Sequence, residues 1–117
     1  MNDPLAKQPG KRARVSSAVE TGRTVVTVTG EVDHVGAVRL TGVLEAAAAL
    51  SGTGDVPVDF SRVGFCDCSG LNTLLAARNH CQDLGIRFSL SEPVTLPVAR
   101  LFQLTGAGPL LLRQQTA

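Results

Sequence analysis

Between Arg23 and Leu50 the apolar residues change their spacing. From Arg23 to Gly30 they alternate, with Val26 and Val28 on one side of the chain and Thr27 and Thr29 on the other. That is the period of a half-buried β-strand, and the β-branched residues suit it. From about Gly36 to Leu50 the spacing becomes helical. Val35, Val38, Val43, Leu44, Ala47 and Ala48 recur at helical spacing, and the Ala-rich run Glu45–Leu50 has high helix propensity. A strand that gives way directly to a helix points to helices layered on a sheet, and the alternation recurs downstream.

Val15–Glu20 predicts a first strand, paired with Arg23–Gly30 as a hairpin around Thr21-Gly22. Glu31-Val32-Asp33-His34 reads as a polar loop, and Ser51-Gly52-Thr53-Gly54 stops the first helix. Val56–Phe60 predicts a strand beginning at or just after Pro57, followed by a loop at Ser61-Arg62-Val63-Gly64. Leu71, Leu74, Leu75 and Leu84 give a second helix its core face as far as about Asp83, with Gly85 as its C′ residue. Ile86–Leu90 alternates again as a strand. Pro93 and Pro97 precede or open a third helix carried by Val98, Leu101 and Phe102 and closed at Thr105-Gly106. Ala107–Leu112 is a short apolar segment that docks on the core. The order is β-β-α-β-α-β-α. This is an α/β fold, a small mixed β-sheet, partly parallel, with helices packed mainly on one side.

A chain of 117 residues has room for one core. With four Phe and no Trp or Tyr, that core is mainly aliphatic. Residues 15–112 are read as the domain, residues 1–14 as a flexible basic tail and residues 113–117 as a C-terminal tail. The first fourteen residues carry Lys7, Lys11, Arg12 and Arg14 against Asp3, a net +3, which leaves −2 on the rest of a chain whose net charge is +1. That balance is not the basic footprint of a nucleic-acid binder. The three cysteines, Cys66, Cys68 and Cys81, are odd in number and irregularly spaced, which argues for a reducing, cytoplasmic compartment. No apolar run reaches the length of a membrane span.

The segment before the second helix is the richest in chemistry. Asp67 stands at a strand exit, and Ser69-Gly70-Leu71 opens the helix. Ser69 sits where an N-cap residue would accept a hydrogen bond from the first turn. A phosphate on Ser69 would be tolerated by the positive end of the helix dipole and repelled by Asp67. It would add about −1.5 to −2 charge to a nearly neutral surface, and a partner docked there would have to desolvate that charge or leave. From these residues alone, the structural reading of Ser69 as a cap outweighs modification.

The run Val58-Asp59-Phe60-Ser61-Arg62-Val63-Gly64-Phe65-Cys66-Asp67-Cys68-Ser69-Gly70-Leu71 resembles the signature of the STAS domain of bacterial anti-sigma factor antagonists. Gly30-Glu31-Val32-Asp33 resembles the family's Gly-Glu-Leu/Val-Asp after the second strand. Leu101-Phe102-Gln103-Leu104-Thr105-Gly106 resembles its Leu-x-Leu-Thr-Gly near the C-terminus. The three lie in order across about residues 15–112. The resemblance implies that Ser69 is the phosphoacceptor. It implies that the unphosphorylated protein binds an anti-sigma factor that is also a serine kinase, freeing a sigma factor. Phosphorylation ends the complex and a serine phosphatase resets it. Asp33, Asp67, Cys68, Ser69 and Gly70 would form the partner-binding segment. The family signature has serine where this chain has Cys68.

Two other readings stay beside this one. The domain could be a scaffold subunit of a signalling or lipid-transport assembly, with Ser69 only a cap. It could be a thiol redox protein using Cys68, although a small, half-buried cysteine is the commoner role at such a position. Cys66, Cys68, His80 and Cys81 match no standard zinc spacing. Asp33 and His34 lack a nucleophile, and Gly52-Thr53-Gly54 lacks a phosphate-loop lysine. The expectation is a binding module, not an enzyme, with no cofactor, no metal, no direct nucleic acid and no membrane contact, as a monomer or weak dimer.

Overall fold

The computed structural model describes residues 12–20, 23–51 and 54–112. Four strands, β1 (Arg14–Glu20), β2 (Arg23–Val32), β3 (Asp55–Cys66) and β4 (Arg87–Ser91), form one sheet in the order β1-β2-β3-β4. The helices are α1 (His34–Ser51), α2 (Cys68–Asp83), α3 (Leu96–Thr105) and the short α4 (Gly108–Leu111). β1 and β2 are antiparallel, from Arg14↔Thr29 to Glu20↔Arg23. β2–β3 and β3–β4 are parallel, so the sheet is mixed as its element order predicts. Thr21 and Gly22, where the sequence predicts the hairpin turn, residues Gly52 and Thr53, and residues 1–11 and 113–117 lie outside the described residues.

Alternation decides what the sheet buries. Val26, Val28, Val56, Val58, Phe60 and Leu90 are completely buried. α1 and α2 pack on each other and on the sheet; α3 lies against β3 and α4. Ala37, Leu40, Leu44, Ala47 and Ala48 form the buried stripe of α1, and Leu71, Leu74 and Cys81 that of α2. Val35, Val38 and Leu84, expected in the core, are 72%, 68% and 48% exposed. Leu40, Leu44, Ala47 and Ala48 lie in the core and set the phase of α1, which turns both valines outward. Leu84 is already the C-cap of α2, and Gly85 follows with φ 74, as the C′ reading requires. Ala107 and Leu111 are buried, so the last apolar segment does dock on the core.

Three boundaries move. β2 continues through Glu31 and Val32, leaving only Asp33 between strand and helix. β3 begins at Asp55, two residues before Pro57, and runs unbroken through Ser61–Gly64. The expected loop there is strand, because β3 absorbs two register shifts against β2: Thr27 faces Asp59, Thr29 faces Arg62, and Glu31 faces Phe65. Each shift is one extra residue in β3. Residues 12–14 also belong to the fold. Arg12 bridges to Glu31 and Ala13 is buried.

Asp59, on β3, has its carboxyl held below the ordinary aspartate value. Its Oδ1 accepts the Ser61 hydroxyl at 2.6 Å and the Ser61 N–H at 3.0 Å, and the Arg62 charge helps, against a smaller cost of burial. A depressed pKa adds stability above the unfolded value, about 3.9, that is lost as pH falls through the folded value. The stability gap between the parent and Asp59→Asn is therefore expected to be constant near neutrality and to close below about pH 4, read from urea midpoints across pH.

Candidate functional site

The parallel strands β2 and β3 end side by side. Val32 faces Cys66, and the Asp67 N–H donates to the Val32 carbonyl at 3.1 Å. One aspartate follows each strand and starts a helix. Asp33 Oδ1 accepts the Gly36 N–H at 2.9 Å, and its carbonyl accepts the Ala37 N–H at 2.8 Å. Asp67 Oδ1 accepts the Gly70 N–H at 3.0 Å, and its carbonyl accepts the Leu71 N–H at 3.0 Å. Each carboxylate satisfies an amide of a helix's first turn and sits at its positive end.

A glycine follows three residues after each cap, for a packing reason. A Cβ on Gly70 would stand 2.6 Å from Cys66 Sγ and 2.7 Å from Val32 Cγ1, and one on Gly36 would stand 2.8 Å from Ala13 Cβ. Bare backbone at these points lets α1 and α2 press against the strand ends. The first turn of α2 is thereby fixed from both sides, by Asp67 and by the contact under Gly70.

This arrangement corrects one expectation. The N-cap of α2 is Asp67, in extended backbone, and Ser69 is the second residue inside the helix. The reason is the length of β3. The strand runs to Cys66, so Asp67 is the one residue left between strand and helix. Ser69 is thus released from capping and sits half-buried in the first turn. Cys68, expected to be half-buried, is exposed, because the first helical position points away from the sheet. Gly70 is buried and offers a partner no side chain; its part is to position the turn.

Around this end of the sheet lie residues that sequence reasoning placed elsewhere or passed over. Phe65 is 48% exposed, since the second register shift turns it away from the side that buries Cys66. Val35 and Val38 project from the first turns of α1. A cavity of about 210 Å³ beside Val35 is lined by Arg12, Ala13, Asp33, Val35, Gly36 and Arg39. The sequence carries a signal for Val35 and Val38: they fall off the stripe of positions 37, 40, 44 and 47. The end of the sheet therefore combines a half-buried hydroxyl, two helix N-termini, two carboxylates, two arginines and exposed apolar side chains. Such a mixture suits docking of a protein surface.

The thiols differ sharply. Burial pushes the Cys66 thiol up to about 12, helped by the negative charge of Asp67 and by Cys68, and its S–H lies 3.5 Å from the Asp67 carbonyl. Burial also raises Cys81. Since the thiolate is the reactive form, native protein is expected to take up one equivalent of maleimide, at Cys68. Cys66 and Cys81 should label only as fast as the fold opens, which mass mapping over time would read. His80 and His34 are exposed. Among the described residues no group of three His, Cys, Asp or Glu side chains is placed to hold a metal ion, and no helix is long and apolar enough to cross a membrane.

Comparison with known proteins gives the same outline. A family model described as "Mlab, STAS domain" matches residues 16–113. No curated protein sequence matches the chain. Among solved structures, the anti-sigma factor antagonist SpoIIAA in its unphosphorylated form superposes with a TM-score of 0.72 at 23% identity, covering 87% of this chain and 89% of that one. Bacillus SpoIIAA in its phosphorylated form gives 0.65 at 21%, covering 89% and 92%. An anti-sigma factor antagonist from Mycobacterium paratuberculosis gives 0.69 at 26%, covering 91% and 87%.

Proposed function

The chain belongs to the STAS domain family, and from that premise we propose that it is an anti-sigma factor antagonist switched by phosphorylation of Ser69. Its partner is an anti-sigma factor that is also a serine kinase, and its binding releases a sigma factor. A serine phosphatase returns the protein to its binding form. The protein itself acts by binding, not catalysis. The likeness to SpoIIAA in both phosphorylation states and to the mycobacterial antagonist supports the reading. The observation that carries it is the division of labour in the first turn of α2. Asp67 caps the helix, so the Ser69 hydroxyl has no capping duty and stays partly accessible.

The chemistry of the switch is electrostatic. A phosphate on Ser69 lies in the first turn of α2, where the free amides and the helix dipole favour an anion. The same dianion stands two residues from the Asp67 carboxylate, and a docked partner must desolvate it. Unmodified, the site presents Cys68, Ser69 and the exposed apolar residues nearby.

Intact mass after incubation with ATP and the anti-sigma kinases of the source organism tests the proposal. One phosphate mapped to Ser69, absent from Ser69→Ala, is the expected result. Ser69→Glu is expected to weaken binding to that kinase by about tenfold or more, because it buries an unpaired charge at the interface. Tight binding without any phosphate would sink the switch and leave a scaffold subunit.

A further inference from the structure

β1 is an open edge. The sheet order leaves it paired with β2 alone among the described residues. Natural sheets blunt such edges with lysine, proline, bulges or very short strands. β1 has seven residues, Arg-Val-Ser-Ser-Ala-Val-Glu, with no lysine or proline, and its register with β2 is unbroken from end to end. Val19, near its end, is 66% exposed. The only charges are one at each terminus of the strand and opposite in sign.

We propose that β1 pairs antiparallel with β1 of a second copy of this chain, joining two sheets into one across a two-fold axis at Ser17. The sequence of the strand is complementary to itself in that register. Arg14 stands opposite Glu20 of the second copy, Val15 opposite Val19, Ser16 opposite Ala18, and Ser17 opposite Ser17. Both ion pairs form at once, and the exposed Val19 is covered by a valine. Opposite charges and β-branched residues directly across a ladder attract.

The backbone agrees with this register. Glu20 and Arg23 are register partners separated by two residues, which makes them a hydrogen-bonded pair closing the hairpin. Alternation along the ladder then turns the N–H and C=O of Val15, Ser17 and Val19 to the open edge. The proposed register joins Val15 to Val19 and Ser17 to itself, so each outward residue meets an outward residue. A shift by one would oppose outward groups to inward ones and lose both ion pairs. The contact is a single strand wide, so the dimer is expected to be reversible and dependent on concentration.

Sedimentation velocity of the full chain over a wide range of concentration tests this. A monomer–dimer equilibrium is expected. Arg14→Glu alone and Glu20→Arg alone each place like charges opposite one another twice, and should raise the dissociation constant by about tenfold. The double variant Arg14→Glu with Glu20→Arg restores both pairs with signs exchanged and should recover the parent value. Ser17→Pro removes an outward N–H only, so it should stay folded by circular dichroism while losing the dimer. A chain monomeric at every concentration would overturn the proposal. So would a dimer in which the double variant is no better than the single ones. Slow amide exchange at Val15, Ser17 and Val19 in a monomer would show the edge covered by other residues of the same chain, and would overturn it too.

Discussion

Gly70→Val is expected to lower the stability of the fold by about 3 kcal/mol. The added Cβ would lie 2.6 Å from Cys66 Sγ, 2.7 Å from Val32 Cγ1 and 3.4 Å from Val32 Cβ, and valine brings two further methyl groups. Neither neighbour can give way cheaply. Val32 and Cys66 are 0% and 4% exposed and face each other in the β2–β3 ladder. Valine is also a poorer helix former than most residues through its restricted χ1. Gly42→Ala is the matched control. Gly42 is exposed inside α1, and an added Cβ meets nothing within 4 Å. Alanine there should raise stability by about 0.5–1 kcal/mol through helix propensity alone. Urea denaturation of both variants reads the contrast. A Gly70→Val protein as stable as its parent would mean that α2 does not press on the strand ends.

Removing both caps together, Asp33→Ala with Asp67→Ala, is expected to cost about 2 kcal/mol, near 1 for each. The two sites are neighbours, so the sum need not be additive, and the single variants are needed beside the double. Asparagine separates capping from charge. Asn is as good an N-cap as Asp, so Asp33→Asn with Asp67→Asn should recover most of the loss while removing both negative charges. If the asparagine pair is as unstable as the alanine pair, the carboxylates act through charge and not through the hydrogen bonds to Gly36 and Gly70. In either case Ser69 cannot take over the cap, because it already lies within the helix.

The element order was legible because period is a property of several residues at once, and four strands and three main helices each display it. What escaped depends on single residues. Three of the five buried residues of α1 are alanines, Ala37, Ala47 and Ala48, and alanine barely registers in a hydrophobic pattern, so the larger Val35 and Val38 read as inward. The second half of β3 escaped because its alternation is broken twice. Val63 and Cys66 are buried while Phe65 is exposed, a pattern no single period of two produces. From that followed the misplaced cap. Serine and aspartate are about equal as N-cap residues, and only the true end of β3 chooses between Asp67 and Ser69. The site itself was legible in part. Asp33, Asp67, Ser69 and Gly70 do converge on one end of the sheet, but their local roles as caps and close contacts come from the backbone. Phosphorylation of Ser69 has no signature in composition or spacing, and rests on resemblance.

The two extra residues in β3 bear on how this strand can change length over evolutionary time. Between the partners of Thr27 and Thr29 the strand holds Phe60 and Ser61 against the single Val28, and between those of Gly30 and Glu31 it holds Gly64 against nothing. Deleting Gly64 would leave Val63 and Phe65 adjacent, facing Gly30 and Glu31 as before, with every later side chain on its present side. Deleting Val58 or Asp59 instead would move Phe60 one place along β2 and turn this completely buried side chain out of the core. Insertions and deletions among relatives should therefore cluster at residues 60–61 and 64, and the spacing from Phe65 to Ser69 should stay fixed.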